Sequence, residues 1–475
     1  MSIELIGVIA LVLGVIGYFA KPNFIIYGFY GATLLGAAAA IILTDLGGTT
    51  IQPSHLLLGF VGVKLLASRD TRLAALGAMS KGSPGFWLLI TAVYATIGAY
   101  MMPRLFLEQT MAFAVRAQAQ GNYAAPLVPT TSNLTQSIYF IGNFVCFVLI
   151  SGFGSSEAGR KCLGRAALMC VILNLAFAVL DVMTYATNTT ELMSFIRNST
   201  YSILSDNDVG GVRRIIGSFV ETSSFAYFTL GCFAFATTLW LNGIATRLTV
   251  SLSVLSLLAL LLSTSTTAYV ALPVYLCAQF AVIGFQFTSR PIRPVMLAFL
   301  ICLPFLLAFL VIGICLNDAS YAYVGDVLNN YLFNKMSTAS GIERSSWNSQ
   351  AIQNFFDTFG LGAGNGSVRA SSFPIAVIGS LGIPGAITYG LFLFSIWFGK
   401  KAPAPPETLA MQAAARSACF AWLIAASASG GFIDLGLPFF AFAALATANV
   451  TVARASPLAA RTDHSFVKPA SVGRA

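Results

Sequence analysis

Only 9% of this chain is charged, so the few places where charge gathers with glycine stand out. Two stretches do so: "DVGGVRRIIGSFVETSSFAYF" (208–228) and "GIERSSWNSQAIQNFFDTFGLGAGNGSVRASS" (341–372). In the first, Arg213 and Arg214 stand where a loop meets an apolar run. Read as helix, the step from Arg214 to Ser218 puts both near one face, with Glu221 about a turn deeper. A carboxylate in an apolar run is costly in lipid and is expected to face the bundle interior or a wet cavity. The plainer roles are interfacial anchoring for the arginines and a helix–helix bond for Glu221. An outward position for the arginines argues against anchoring.

In the second stretch Gly360, Gly362, Gly364 and Gly366 alternate, which lets backbone N–H groups turn toward an anion. Arg344 and Arg369 flank them. Guanidinium forks match phosphate oxygens and keep their charge when partly desolvated. The chemistry on offer is a pyrophosphate cradle; the alternative is a plain turn into the next helix.

The elements that must position these residues are membrane spans. Of 475 residues 57% are hydrophobic, and the mean hydropathy is +0.80. A soluble domain carries about 25% charged residues. Long continuous apolar runs read as transmembrane helices, and their lack of alternation excludes a β-barrel. The expected fold is all-α, a polytopic bundle of about 13 spans. The runs fall at 3–20, 23–43, 50–67, 84–102, 134–153, 166–187, 215–240, 248–263, 266–288, 294–316, 372–399, 417–434 and 436–453. The pair around "STSTT" reads either as two short helices or as one broken one.

The net charge of +9 is assigned to cytoplasmic loops, not to a nucleic-acid partner. Basic loops at Arg69–Lys81, Arg160–Arg165, Arg290–Arg293 and Lys400–Arg416 put the N-terminus outside and the C-terminus in the cytoplasm. Residues 1–455 then form one transmembrane domain, and 456–475 a basic flexible tail. The "KKAPAPPETLAMQAAARS" loop is expected to be flexible too. The first run reads as a retained helix, not a signal peptide.

This orientation leaves a large outer loop, 317–371, which contains the helix-like text "YVGDVLNNYLFNKM" and "ERSSWNSQAIQNFFDTF". In the latter, Trp347, Ile352, Phe355, Phe356 and Phe359 share a face. Such a helix would lie along the membrane surface or cap the bundle.

Other residues read as structural. Eight cysteines include no C-x-x-C pair and look like small core residues. His55 is isolated, without metal-ligating neighbours. Asp181 and Asp434 read as satisfying helix ends. No zinc-protease, Walker or nucleophile-elbow motif occurs, and no metal or cofactor is expected. The sequons "NLT", "NTT" and "NST" fall in outer segments.

The order of motifs is informative. "R-x-x-G-S-F-x-E" begins at Arg214, followed by an apolar pair broken by "STSTTAYVAL". Next come the outer loop "R-S-S-W…F…G-L-G-A-G-N-G" and "IGSLGIPGAITYGLFLF". Over roughly residues 205–400 this resembles the O-antigen ligase and Wzy-type polysaccharide polymerase superfamily. The resemblance implies a GT-C-type, metal-independent membrane glycosyltransferase. Its donor would be a polyprenyl-pyrophosphate-linked oligosaccharide, transferred to a sugar hydroxyl at the outer face of the inner membrane. Partners implied are membrane lipids and a chain-length regulator or export complex.

Arg214 and Arg344 match family arginines and would hold the pyrophosphate. Arg213, Arg369, Trp347, Tyr323 and the glycines Gly362, Gly364 and Gly366 would line the substrate. Trp347, Tyr321, Tyr323 and Tyr331 would stack on sugars or anchor at the interface. The family's ligases carry a histidine after the glycine-rich turn; here Arg369 stands near that place, which favours the polymerase branch. Glu221 is the first candidate base, ahead of Asp326 and Glu343. The rival classes are a flippase for lipid-linked oligosaccharides and a non-catalytic subunit of a polysaccharide export complex.

Overall fold

The computed structural model describes residues 1–43, 49–113, 123–199, 208–209, 212–289, 291–318, 321–322, 325, 338–399 and 403–448. The architecture is an all-α bundle. Its helices are α1 (Leu5–Phe19), α2 (Pro22–Ala32), α3 (Pro53–Leu66), α4 (Arg69–Ala78), α5 (Pro84–Leu105), α6 (Thr131–Phe153), α7 (Glu157–Ala186) and α8 (Thr222–Leu241). They continue with α9 (Thr246–Leu262), α10 (Thr266–Ser289), α11 (Pro294–Cys315), α12 (Ala339–Asp357), α13 (Phe373–Phe398), α14 (Pro406–Ser429) and α15 (Gly436–Thr447). By length and composition, eight of the described helices suit a membrane span: α5, α6, α7, α8, α10, α11, α13 and α14. Their outward faces are apolar, as in Phe305 and Phe309 of α11, which suits hydrocarbon.

The centre is α8 against α14. A Cβ at Gly231 would stand 2.1 Å from the Trp422 ring, so only glycine lets the two helices meet there. The Trp422 indole N–H donates to the Phe228 carbonyl at 3.3 Å, which satisfies it inside the core. Phe442 of α15 packs edge-on to the same ring at 4.9 Å.

Helix boundaries follow local chemistry. Ser83 accepts from the Phe86 N–H ahead of Pro84, and Ser156 accepts from the Gly159 N–H. Lysines and arginines collect where one set of helix ends lies: Lys64, Arg69, Arg72, Lys81, Arg160, Lys161, Arg165, Arg247 and Arg293. The short strands lie away from those ends. Ser2–Ile3 (β1), Ile41–Leu43 (β2) and Thr49–Ile51 (β3) form an antiparallel sheet in that order. Met111–Phe113 (β4) pairs with Ala124–Pro126 (β5), and Asp208–Val209 (β6) with Val212–Arg213 (β7).

Three expected segments are corrected. The run at 23–43 is helical only to Ala32, and 33–40 continues as buried irregular chain. The run at 215–240 becomes helical only at Thr222. The "PPETLAMQAAARS" text is not a flexible loop but the start of α14, with Met411, Ala414 and Ala415 buried. No helix breaker follows Pro406, which suits the first turn.

Irregular backbone is tolerated among spans only where its polar groups are satisfied. Here the two non-helical passages satisfy each other. The Ala37 N–H donates to the Ser218 carbonyl at 3.1 Å, and the Ser218 hydroxyl to the Leu34 carbonyl at 2.7 Å. Asn198 closes both backbone groups of Ala39, at 2.9 and 3.1 Å.

Asp181 of α7, fully buried, accepts from the Ile216 and Gly217 N–H groups at 2.8 and 3.0 Å. Arg197 pairs with Asp181 at 2.6 Å and also donates to the Gly217 carbonyl. Asp181 is therefore a clamp on the approach to α8, beyond the helix-end role expected of it.

Truncating one partner of such a buried pair costs about 3–5 kcal/mol. Asp181→Ala is expected to lower the melting temperature of the detergent-purified protein sharply. The Asp181→Ala/Arg197→Met double variant is expected to lose less than the sum of the single losses, read by the same melt.

Candidate functional site

Two cavities open at the bundle end opposite the basic residues, on either side of the C-terminal end of α14. The first, about 460 Å³, is lined by Thr266 and Thr267 of α10, Gly341 and Arg344 of α12, and Ser371, Ser372 and Ile375 around the start of α13. The first turns of α10 and α13 thus face it, α12 lies along it from Gly341 to Ile352, and Ser427 and Ala428 in the last turn of α14 complete the lining. Neither α10 nor α13 carries an acidic residue in its first turn. Ser372, the N-cap of α13, makes no side-chain bond to its helix. Helix N-termini present unpaired N–H groups and partial positive charge, and Arg344 adds a full one.

Two more arginines border this place. Arg214 donates to the Thr264 carbonyl at 3.3 Å, in the break between α9 and α10. Its Nε is buried and has no partner among the described residues; neither do the hydroxyls of Thr264 and Ser265. Two residues on, Thr266 lines the cavity that Arg344 also lines, so Arg214 bonds the break that leads into that cavity. Arg369 lies flat on Trp347, its guanidinium carbon 3.8 Å from the ring centre. Burial pulls the Arg369 pKa down, opposed by the charges of Glu343 and Glu221 and reinforced by that of Arg344. Those four side chains therefore occupy one electrostatic neighbourhood.

The second cavity, about 490 Å³, has a different character. Its lining includes Glu221 and Asp434, amides, hydroxyls and tyrosines, and no lysine or arginine. Glu221 is the N-cap residue of α8 and accepts a hydrogen bond from the Ser223 hydroxyl. The helical face inferred for Arg214, Ser218 and Glu221 does not exist, because 214–221 is irregular. Irregular chain nonetheless leaves Arg214 toward the basic cavity and Glu221 on the wall of the acidic one.

Several expectations are corrected by packing. The glycine-rich turn is not an open cradle. The Gly362 N–H donates to the Thr358 hydroxyl at 3.0 Å and the Gly364 N–H to the Ser380 carbonyl at 3.0 Å. The turn is wedged between helices: Cβ atoms at Gly362, Gly364 and Gly366 would approach the backbone of Ser380, Gly98 and Ser132 within 2.5–2.7 Å.

Trp347 is buried, with Arg369 on its face, so it positions an arginine and is not an open platform for a sugar. Helix α12 forms as expected, but Trp347 does not share a face with the exposed Ile352 and Phe356. It buries Gly341, Trp347, Ala351, Asn354 and Thr358, and leaves Ile352, Phe356 and Phe359 exposed. Small and amide residues win the buried face because α13 approaches closely there and because Asn354 bonds Thr110 and the Met111 carbonyl. The exposed phenyl rings suit the membrane interface.

Of Arg213 only the backbone, in β7, is described. Tyr323, Asp326, Tyr331, the "YVGDVLNNYLFNKM" helix apart from single residues, and the tail 456–475 lie outside the described residues. His55, isolated in sequence, lines the acidic cavity beside Tyr139. Among the described residues no group of three metal-ligating side chains occurs.

Sequence reading missed the roles of Arg197 and Asp434. The available signal was Asn143, alone in an apolar run: its amide donates to Asp434 at 2.6 Å.

No protein-family model matches the chain, and no curated protein or solved structure does either.

Gly362 and Gly364 have φ of +83° and +94°. A Cβ in the left-handed region costs about 1–2 kcal/mol before any clash. Gly362→Ala and Gly364→Ala are each expected to lower the melting temperature by more than Gly390→Ala, where no atom lies within 4 Å of the new Cβ.

Proposed function

We propose that this protein is a polymerase of lipid-linked polysaccharide repeat units at the outer face of a bacterial inner membrane. The observation that carries the reading is the cavity where Arg344 meets the first turns of α10 and α13, with Arg214 and Arg369 nearby. Positive backbone ends and guanidinium groups in an apolar bundle suit a pyrophosphate, whose oxygens accept from both. The motif order from Arg214 to the glycine-rich turn supports the same assignment. The span count of about 13, with the N-terminus outside and the C-terminus in the cytoplasm, is part of this reading and rests on loop charge.

A hydroxyl oxygen of the acceptor sugar attacks C1 of the donor glycan. The bond from C1 to the pyrophosphate oxygen breaks as the new C1–O bond forms. The departing polyprenyl pyrophosphate carries its negative charge toward Arg214, Arg344 and Arg369, which are in place before the charge develops. The hydroxyl proton goes to the Glu221 carboxylate, which lines the second cavity. Trp347 holds Arg369 flat and so fixes the direction of its fork.

The test uses lipid-linked repeat units extracted from a host deleted for this gene. Purified wild-type protein in nanodiscs is expected to lengthen them with no other protein present. Arg344→Lys keeps the charge but loses the fork, and is expected to lower the rate by about 10²–10³-fold. Transfer of repeat units across vesicles without lengthening would replace the polymerase by a flippase.

A further inference from the structure

The acidic cavity has no part in holding pyrophosphate, yet its most elaborate feature is a carboxylate. Asp434 sits in the short turn between α14 and α15, held by three helices. Asn143 of α6 donates to its Oδ1 at 2.6 Å, as does the Gly436 N–H at 2.6 Å. On either side, the Tyr389 hydroxyl of α13 donates to the Ile433 carbonyl and the Tyr227 hydroxyl of α8 to the Leu435 carbonyl, both at 3.0 Å. Every one of these bonds is made by Oδ1 or by the neighbouring backbone. Oδ2 accepts none from the described residues, and Asp434 lines the 490 Å³ cavity. An ionisable group among apolar helices needs a reason to be kept, and this one is aimed and left with an acceptor free.

The lining defines what fits. With Glu221 and Asp434 on the walls and no lysine or arginine, phosphate is repelled. Gln52 and Gln136 each offer both donors and acceptors, and Tyr139 and Tyr227 add ring faces. The volume falls in the range of small-ligand sites. A metal ion is disfavoured, since Glu221, Asp434 and His55 all line the cavity but, among the described residues, no three such side chains come together as a ligand group. A neutral polyhydroxylated ring matches this set, its hydroxyls donating to carboxylates and pairing with amides.

We infer that this cavity is the acceptor-sugar site, with Asp434 Oδ2 accepting from a hydroxyl of the acceptor's terminal residue and Gln136 bonding a second. The inference rests on the polymerase reading. It divides the two substrates by charge: the anionic head lies on the α10–α12–α13 side of α14, and the neutral sugar on the α6–α8–α15 side. Glu221 lines the sugar cavity, and its charge is felt at Arg369.

Asp434→Asn preserves size and the carbonyl that Asn143 and Gly436 bind, but exchanges the free acceptor for a donor. Two measurements follow. The first is binding of oligosaccharide released from the same lipid-linked units by mild acid, to protein in nanodiscs. The second is the lengthening rate against acceptor concentration. Melting curves and undecaprenyl pyrophosphate binding serve as controls, and Gln136→Ala is the second variant.

Losing a hydrogen bond to a charged group weakens acceptor binding by about 10- to 100-fold. The expected result is therefore an acceptor KM raised by that factor, a smaller change in kcat and unchanged undecaprenyl pyrophosphate binding. Wild-type acceptor binding in both variants overturns the inference and leaves the polymerase reading intact. Failure of the wild type to lengthen removes that reading. The acceptor role falls with it, and the cavity remains a sugar-binding site only if the released oligosaccharide binds wild type and not Asp434→Asn.

Discussion

The structure depends on satisfying backbone polar groups where the chain runs unwound between helices. Residues 33–40 and 214–221 would each leave amides and carbonyls without partners in a water-poor bundle. They are closed by one another, by Asn198, and by the Asp181–Arg197 pair gripping Gly217. Because that pair fixes the irregular approach to α8, Arg214 reaches the α9–α10 break while Glu221 caps a helix on another wall. A continuous helix through 215–240 would not have divided these side chains between two cavities.

The glycine-rich turn and α12 illustrate the same constraint in a second form. Leu361 accepts from the Tyr94 hydroxyl at 2.8 Å, and the Ile383 N–H donates to the Gly360 carbonyl at 2.8 Å. The turn thus fills the bend in α13 near Gly382, whose φ is +59°. Its glycines serve proximity between helices, and the cavity proposed to hold pyrophosphate is lined by other residues, Arg344 and the start of α13 among them.

Much of this was legible from the residue pattern. Continuous apolar runs gave the helices, and the break at "STSTT" gave the α9–α10 turn that Arg214 bonds. The scarcity of charge singled out Arg214, Glu221, Arg344 and Arg369, which the structure gathers around two adjoining cavities. What pattern could not supply was tertiary compensation. Helical periodicity assigned 214–221 to a span because the partners that release it, Asp181, Arg197 and Leu34, lie far off in sequence. One residue of α12 escaped the pattern for a related reason. Trp347 groups by spacing with the phenylalanines, but it turns inward beside the small residues that let helices touch, while an exposed phenylalanine is at home beside lipid.

The exposed face of α12 has a consequence for position. Phe356 and Phe359 are 64% and 84% exposed, on the helix that carries Arg344 and at its end. On the polymerase reading, rings placed this way would ride at the boundary between hydrocarbon and headgroups, and α12 would act as a float that sets the height of its arginine against the bilayer surface. An amphiphile whose charged head already lies at that level would then meet Arg344 by sideways diffusion alone, with its tail never lifted out of the leaflet.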